Sequence, residues 1–141
     1  MFEVILITPE TWTQKPIVVV HGDEAQCRKL CNVLELGHYA TIAFHSLFNL
    51  EREIGETGRQ VVILDLDTLP VNNRLFRNLR SKNPGVCIIG LSRRPFHPEL
   101  EEAMSRHIYA CLSKPVDHEE LIYWLKSLSE NNADSRDSPV T

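Results

Sequence analysis

A chain of 141 residues has the length of one ordinary domain and is long enough to bury its own core. Hydrophobic residues make up 43% of it and charged residues 24%, and a net charge of −4 with a pI near 5.8 gives no sign of the basic surface that nucleic-acid binding usually needs. The apolar runs are too short to span a membrane and the N-terminus has no signal-peptide pattern, so we expect a cytoplasmic protein with neither a membrane nor a nucleic acid as its partner.

The first residues of the chain stand apart from the regular pattern that follows. Residues 1–15 contain one strand-like run, Phe2 to Thr8, and a polar stretch, which predicts an N-terminal extension or an extra edge strand. Residues 17–20 are a β-branched run typical of a strand buried on both faces. The next apolar residues recur at helical spacing, and Gly37 ends this predicted helix. The apolar stripe consists of Cys27, Leu30, Cys31 and Leu34.

The same alternation of strand and helix recurs to the end of the regular region. The predicted strands cover residues 39–44, 60–65, 86–91 and 108–112, and the predicted helices that follow them cover residues 47–54, 72–81, 97–106 and 117–128. The third strand, which ends at Asp65, has the clearest buried pattern. Residues 129–141 have no apolar periodicity and are predicted to be a disordered tail or a linker.

Five successive units of strand and helix predict an α/β domain over residues 16–128, with a doubly wound parallel sheet and helices on both faces. Such sheets bind ligands at the carboxyl ends of their strands. The polar residues that follow the strands are therefore expected to meet at one edge of the sheet: Asp23, Asp65, Ser92 and Lys114. Two carboxylates, a hydroxyl and an ammonium suit acyl-phosphate chemistry, in which a carboxylate attacks phosphorus and cations neutralise the phosphoryl oxygens.

Four motifs give residues 16–128 a resemblance to the receiver domain of two-component response regulators. They are Val18-Val19-Val20 leading to Asp23-Glu24, Val62-Ile63-Leu64-Asp65 with the later Pro70, Ile88-Ile89-Gly90-Leu91-Ser92, and Leu112-Ser113-Lys114-Pro115. The Lys-Pro pair, with its spacing from the serine, is the most specific of them. The resemblance implies a flavodoxin-like sheet of five parallel strands in the order 2-1-3-4-5.

The resemblance also implies a chemistry at this edge of the sheet. A histidine kinase or a phosphotransfer protein would phosphorylate Asp65 with the help of Mg²⁺, and both Lys114 and Ser92 would contact the phosphoryl group. Mg²⁺ prefers oxygen ligands and keeps several waters, so a few carboxylates and a carbonyl suffice to hold it. The implied ligands are Asp23, Asp65 and the backbone carbonyl of Asp67, with Glu24 as a further candidate.

Further implied features concern how a phosphorylation signal would leave the domain. Tyr109 and Cys111 would belong to the face that changes on phosphorylation, and the peptide bond before Pro115 would be cis. The signal would pass to a downstream protein target, and the resemblance makes a homodimer plausible.

Several positions depart from the receiver pattern. Gly22 stands where the first of two adjacent acids is normal, and Arg93 stands after the switch hydroxyl, where a small residue is normal. The loop after Asp65 is one residue longer than usual before its proline, and Cys111 replaces an aromatic residue. The loss of one metal carboxylate predicts weaker Mg²⁺ binding. Two interpretations follow: a receiver phosphorylated at Asp65, or a degenerate receiver that acts only by protein–protein interaction.

An enzyme is the alternative from another functional class. Asp65-Leu66-Asp67-Thr68-Leu69 resembles the Asp-x-Asp-Gly-Thr motif of haloacid dehalogenase-type phosphatases, in which Asp65 would be the nucleophile and Asp67 the acid/base. The glycine of that motif is absent, and the chain after it leaves little room for a cap and a distal acidic loop. A domain that is not an enzyme is therefore the favoured interpretation.

Overall fold

The computed structural model describes residues 15–137, with side chains described up to residue 129. The strand predicted at Phe2–Thr8 and the last four residues of the predicted tail lie outside these residues. Five strands alternate with five helices in this part of the chain. They are β1 (Ile17–Val20), α1 (Glu24–Leu36), β2 (Thr41–Phe44), α2 (Leu47–Glu53), β3 (Gln60–Asp65), α3 (Asn73–Lys82), β4 (Val86–Ser92), α4 (Glu101–Arg106), β5 (Ile108–Ser113) and α5 (His118–Asp137).

All five strands are parallel and lie in the order β2-β1-β3-β4-β5, which confirms the predicted fold class and strand order. The central strand β3 pairs with β1 on one side and with β4 on the other. Its β-branched and aliphatic side chains are covered on both faces, as is typical of strands inside a doubly wound sheet. Because the strands are parallel, their carboxyl ends all lie at one edge of the sheet.

Two apolar cores hold the helices on the two faces of the sheet. Alternate residues of β1 enter different cores, with Ile17 and Val19 in one and Val18 and Val20 in the other. The first core is completed by apolar residues of α1 and α5, and the second by those of α2, α3 and α4. Burial of these side chains, worth about 1.5–3 kcal/mol each, fixes the positions of the strand ends.

Two helices differ from their predicted extent. The predicted helix 97–106 is divided into a 3-10 turn, Pro98–Leu100, followed by α4. Pro98 disfavours helical backbone at the residue before it, so His97 is non-helical and lies outside the helix. The last helix was predicted to end at Leu128, but α5 continues to Asp137 into the segment predicted to be a tail. Adding turns to a nucleated helix costs little free energy, so this extension needs no apolar stripe.

The part of the chain that the structure describes contains no helix that is both long and apolar enough to cross a membrane.

Candidate functional site

Asp65 is the last residue of β3, at the centre of the sheet edge, and its side chain has 0% of its surface exposed. Lys114 comes directly after β5 and forms an ion pair with Asp65 through its Nζ atom. The same Nζ atom lies 3.0 Å from Oδ2 of Asp67. The structure therefore brings together the carboxylate and the ammonium that the sequence placed at the ends of separate strands.

Thr68 donates hydrogen bonds to the second carboxylate oxygen of Asp65, a role that the sequence did not reveal. Its backbone N–H donates to Oδ2 of Asp65 at 2.9 Å, and its hydroxyl donates to the same oxygen at 2.6 Å. The hydroxyl oxygen in turn accepts a hydrogen bond from the backbone N–H of Gly22 at 2.9 Å. The extra residue in the loop after Asp65 was the one sign in the sequence that this loop differs in conformation from the usual receiver loop.

Gly22 is required by the position of Thr68. A Cβ atom at residue 22 would lie 2.9 Å from Cβ, from Oγ1 and from the backbone oxygen of Thr68. Contacts this close to backbone force one of the two loops to move. The place where receivers usually carry their first acid is therefore filled here by the Thr68 side chain, and an acidic residue at position 22 does not fit this arrangement.

His21 lies beside the other oxygen of Asp65. Its Nδ1 atom accepts a hydrogen bond from the backbone N–H of Asp23 at 3.0 Å, so the hydrogen of the neutral ring is on Nε2, which lies 3.6 Å from Oδ1 of Asp65. Burial lowers the pKa of His21 and outweighs the Asp65 carboxylate, which acts in the opposite direction. Among the described residues Oδ1 accepts no well-aligned hydrogen bond, and the Lys114 ammonium is its ionic partner.

Two of the side chains named for the implied Mg²⁺ site, those of Asp23 and Glu24, contact other groups in this structure. Asp23 is exposed, and its Oδ1 atom caps α1 by accepting the N–H groups of Ala25 and Gln26, which lower the pKa of this carboxyl. Glu24 is oriented towards His45, 3.9 Å away. Residues 15–129 contain no group of three His, Cys, Asp or Glu side chains placed to share a metal ion. The charge next to Asp65 is instead that of an ammonium group.

Ser92 ends β4 and contacts Asp67, whereas the resemblance implied a contact with a phosphoryl group on Asp65. Its hydroxyl donates to Oδ1 of Asp67 at 2.9 Å, and the backbone N–H of Arg93 donates to Oδ2 at 2.9 Å. Burial of Asp67 acts to raise its pKa, but these bonds and Lys114 outweigh it, and the pKa of the carboxyl is lowered. Asp67 therefore uses its side chain here, although only its carbonyl had been implied in the site.

The implied switch residues lie on β5, at the other edge of the sheet from β2. The Tyr109 ring packs edge-on against Trp124 with centroids 5.6 Å apart, and its hydroxyl lies 3.4 Å from that of Ser127. Cys111 is opposite Gly90 in the sheet, and burial followed by the Asp67 carboxylate raises the pKa of its thiol. The Lys114–Pro115 peptide bond is cis, the geometry that the resemblance implied.

The arrangement is unfavourable for the phosphatase alternative. A nucleophilic carboxylate must reach the phosphorus of its substrate, and Asp65 has no exposed surface. An acid/base needs an oxygen that is available to the substrate. Both oxygens of Asp67 are already bound, one by Ser92 and the other by Lys114 and the Arg93 N–H.

No protein-family model matches the sequence, and no curated protein matches it. Solved structures do match. The signal receiver domain of an HD domain-containing protein from Pseudomonas fluorescens is 21% identical with a TM-score of 0.71, and the match covers 89% of this chain and 93% of that one. A CheY-like receiver domain from Methanospirillum hungatei is 18% identical with a TM-score of 0.70, and the match covers 85% and 98% of the two chains.

The response regulator StyR gives a third match, with a TM-score of 0.72 at 20% identity, covering 89% of this chain and 65% of the other. All three matches cover 85% or more of this chain. At such identities the matches establish the fold and leave the chemistry to be argued from the site. The receiver fold that the sequence motifs implied is confirmed.

Proposed function

We propose that this chain is a signalling module with the receiver fold that acts by binding a protein partner, without accepting a phosphoryl group on Asp65. The proposal depends on one observation, that the carboxylate of Asp65 is buried and both of its oxygens have partners. Asp65 has 0% exposed surface, one oxygen is bound twice by Thr68, and the other is paired with Lys114.

Phosphorylation of a carboxylate needs an oxygen lone pair in line with the phosphorus atom and a cation on the phosphoryl oxygens. Neither oxygen of Asp65 has a lone pair that faces solvent, so a phosphoryl donor would reach it only after Thr68 and Lys114 had moved. Lys114 can supply one cation for the second requirement, but the implied Mg²⁺ would have few free ligands, because Asp23 is engaged in capping α1 and the position before it is Gly22. These features favour the degenerate receiver over the phosphorylated one.

The partner that this function requires is a downstream protein, and a second copy of this chain is the simplest alternative. A histidine kinase or a phosphotransfer protein would then be a docking partner at most. Signalling of this kind takes place in the cytoplasm, which is where we place the protein.

The test is exposure of the protein to acetyl phosphate, and separately to beryllofluoride, at millimolar Mg²⁺. We expect no phosphoryl adduct in the intact mass and no shift in the amide NMR signals of Asp65, Thr68 and Ser92. A receiver domain of known activity, treated in parallel, shows that the reagents work. An adduct that forms on the wild type and is absent from Asp65→Asn would overturn the proposal and restore the phosphorylated receiver.

A further inference from the structure

Two polar side chains are buried at the two ends of the loop between β4 and the 3-10 turn, which we call the β4 loop (residues 93–97). Ser92 is 2% exposed and His97 is 3% exposed. Burial of a hydroxyl and an imidazole is unfavourable unless their hydrogen-bonding groups are satisfied. Their partners therefore show what these residues do.

The directions of the hydrogen bonds follow from the chemistry of the groups. Nη2 of Arg94 lies 2.8 Å from Nδ1 of His97, and a guanidinium group can only donate, so Nδ1 accepts and carries no hydrogen. Oε2 of Glu99 also lies near Nδ1, but at 3.6 Å it is too distant for a hydrogen bond and is bound by Arg94. The hydrogen of the neutral ring is then on Nε2, which lies 2.8 Å from Oγ of Ser92. The ring donates this hydrogen to Ser92, because the single hydrogen of the serine hydroxyl goes to Oδ1 of Asp67.

Ser92 is saturated by this arrangement. Its hydroxyl gives one hydrogen bond, to Asp67, and accepts two, from His97 and from the backbone N–H of Arg94 at 3.0 Å. Asp67 also accepts the backbone N–H of Arg93 and contacts Lys114. A continuous chain of bonds thus runs from Arg94 through His97, Ser92 and Asp67 to Lys114, and both N–H groups at the start of the β4 loop are held by it.

We propose that His97 is a positioning residue that holds Ser92 against Asp67 and thereby fixes the β4 loop in one closed conformation. The inference rests on the proposed function and adds to it the residue that holds the β4 loop in the same conformation in the absence of phosphorylation. To contact a group on Asp65, the Ser92 hydroxyl would have to give up its bond to Asp67. Preorganised loops of this kind bind a partner with less loss of conformational entropy.

The matched variants are His97→Leu and His97→Gln in the full chain. Leucine removes both ring nitrogens, whereas the glutamine amide can place a donor where Nε2 stands and so restore the bond to Ser92. We expect hydrogen exchange at the Arg93 and Arg94 amides to be about tenfold faster or more in His97→Leu and to return close to the wild-type rate in His97→Gln. Exchange at Ile63 in β3 reports whether the fold is intact.

His107→Gln is the control, because His107 is also largely buried but pairs with Glu102, away from the β4 loop. It should leave the Arg93 and Arg94 amides unchanged. A second measurement needs no variant: the ring ¹⁵N shifts of His97 in the wild type should show the hydrogen on Nε2. A hydrogen on Nδ1, or unchanged exchange in a folded His97→Leu, would overturn the inference. Failure of the proposed function has a different signature, an adduct on Asp65.

Discussion

Two carboxylates lie on either side of the Lys114 ammonium, and the protein uses them differently. Asp65 is inside the molecule, at the end of the central strand, and its partners come from the loops after β3 and β5. Asp67 lies nearer the surface and holds the β4 loop through Ser92 and Arg93. Both carboxylates contact the same ammonium, but Asp65 has no exposed surface, whereas Asp67 is hydrogen-bonded to Ser92 and to the backbone of the β4 loop.

Under the proposed function, this edge of the sheet keeps the charged residues of the receiver pattern without their phosphotransfer role. The ion pair of Asp65 and Lys114 remains, but the Thr68 side chain fills the space beside Asp65 that the absence of a side chain at Gly22 leaves open. The switch hydroxyl also remains, but it is committed to Asp67 and His97. Presence of the motif residues is therefore not evidence that they perform phosphotransfer.

The largest effect should come from removal of the shared cation. Lys114→Met leaves the fully buried Asp65 and the partly buried Asp67 without their ionic partner, and we expect the free energy of unfolding to fall by about 3–5 kcal/mol. Denaturant unfolding measures the change.

The double variant Lys114→Met/Asp65→Asn should regain much of that loss, because the buried charge is removed together with its partner. This result would show that the loss of stability arises from the unpaired charge of Asp65 and not from Asp67. A loss of less than about 1 kcal/mol in the single variant would mean that the pair behaves like an exposed salt bridge, and the contrast between the two carboxylates would fail.

A smaller effect is expected from Gly22→Ala. The added methyl group would collide with the Thr68 side chain and backbone, so we expect a loss of about 1–3 kcal/mol in the free energy of unfolding. Gly37→Ala is the control, because a Cβ atom there would lie 3.4 Å from its nearest neighbour, the carbonyl oxygen of Leu34. Exchange at the Arg93 amide should stay unchanged if the Asp65 and Asp67 sides are independent. Equal stability of Gly22→Ala and the wild type would show that Thr68 does not fill this space.

The smallest effect concerns pH. The pKa of His21 is lowered in the folded protein, so the unfolded chain binds more protons around the ordinary pKa of 6.5. The stability that depends on neutral His21 is complete above that value and is lost as the pH falls through the lowered pKa. His21→Asn keeps an acceptor for the Asp23 N–H but does not titrate. Between about pH 7.5 and pH 5.5, the wild type should lose more stability in urea than this variant. Equal losses of stability in the wild type and in His21→Asn would show that the protonation of His21 does not contribute to the pH dependence.

The fold could be predicted from the sequence because periodicity reports burial directly. The β-branched run of β1 and the aliphatic run of β3 are each buried on both faces, and the polar residues that follow the strands mark the edge at which they meet. This reasoning placed Lys114 near Asp65 across a large separation in sequence, and the ion pair is present.

The site could be predicted only in part, because loop residues have no periodicity that reveals their orientation. Thr68 was taken only as part of a possible phosphatase motif, since nothing in the sequence shows that its hydroxyl meets the backbone N–H of Gly22, 46 residues away. His97 was predicted to be the first residue of the helix 97–106. Pro98 was the contrary signal, and the residue before it is non-helical, with its ring in contact with Ser92.

The chain of bonds through Ser92 and His97 has a consequence for the residue between its anchoring points. Phe96 directly precedes His97. His97 is buried, whereas Phe96 is 70% exposed. Each isolated molecule therefore bears the unfavourable hydration of an aromatic ring on a short segment flanked by Pro95 and Pro98. An apolar cavity on another molecule could cover the Phe96 ring, and the segment would not have to be ordered first. The side chain that makes the free molecule less soluble would then be the one that favours binding.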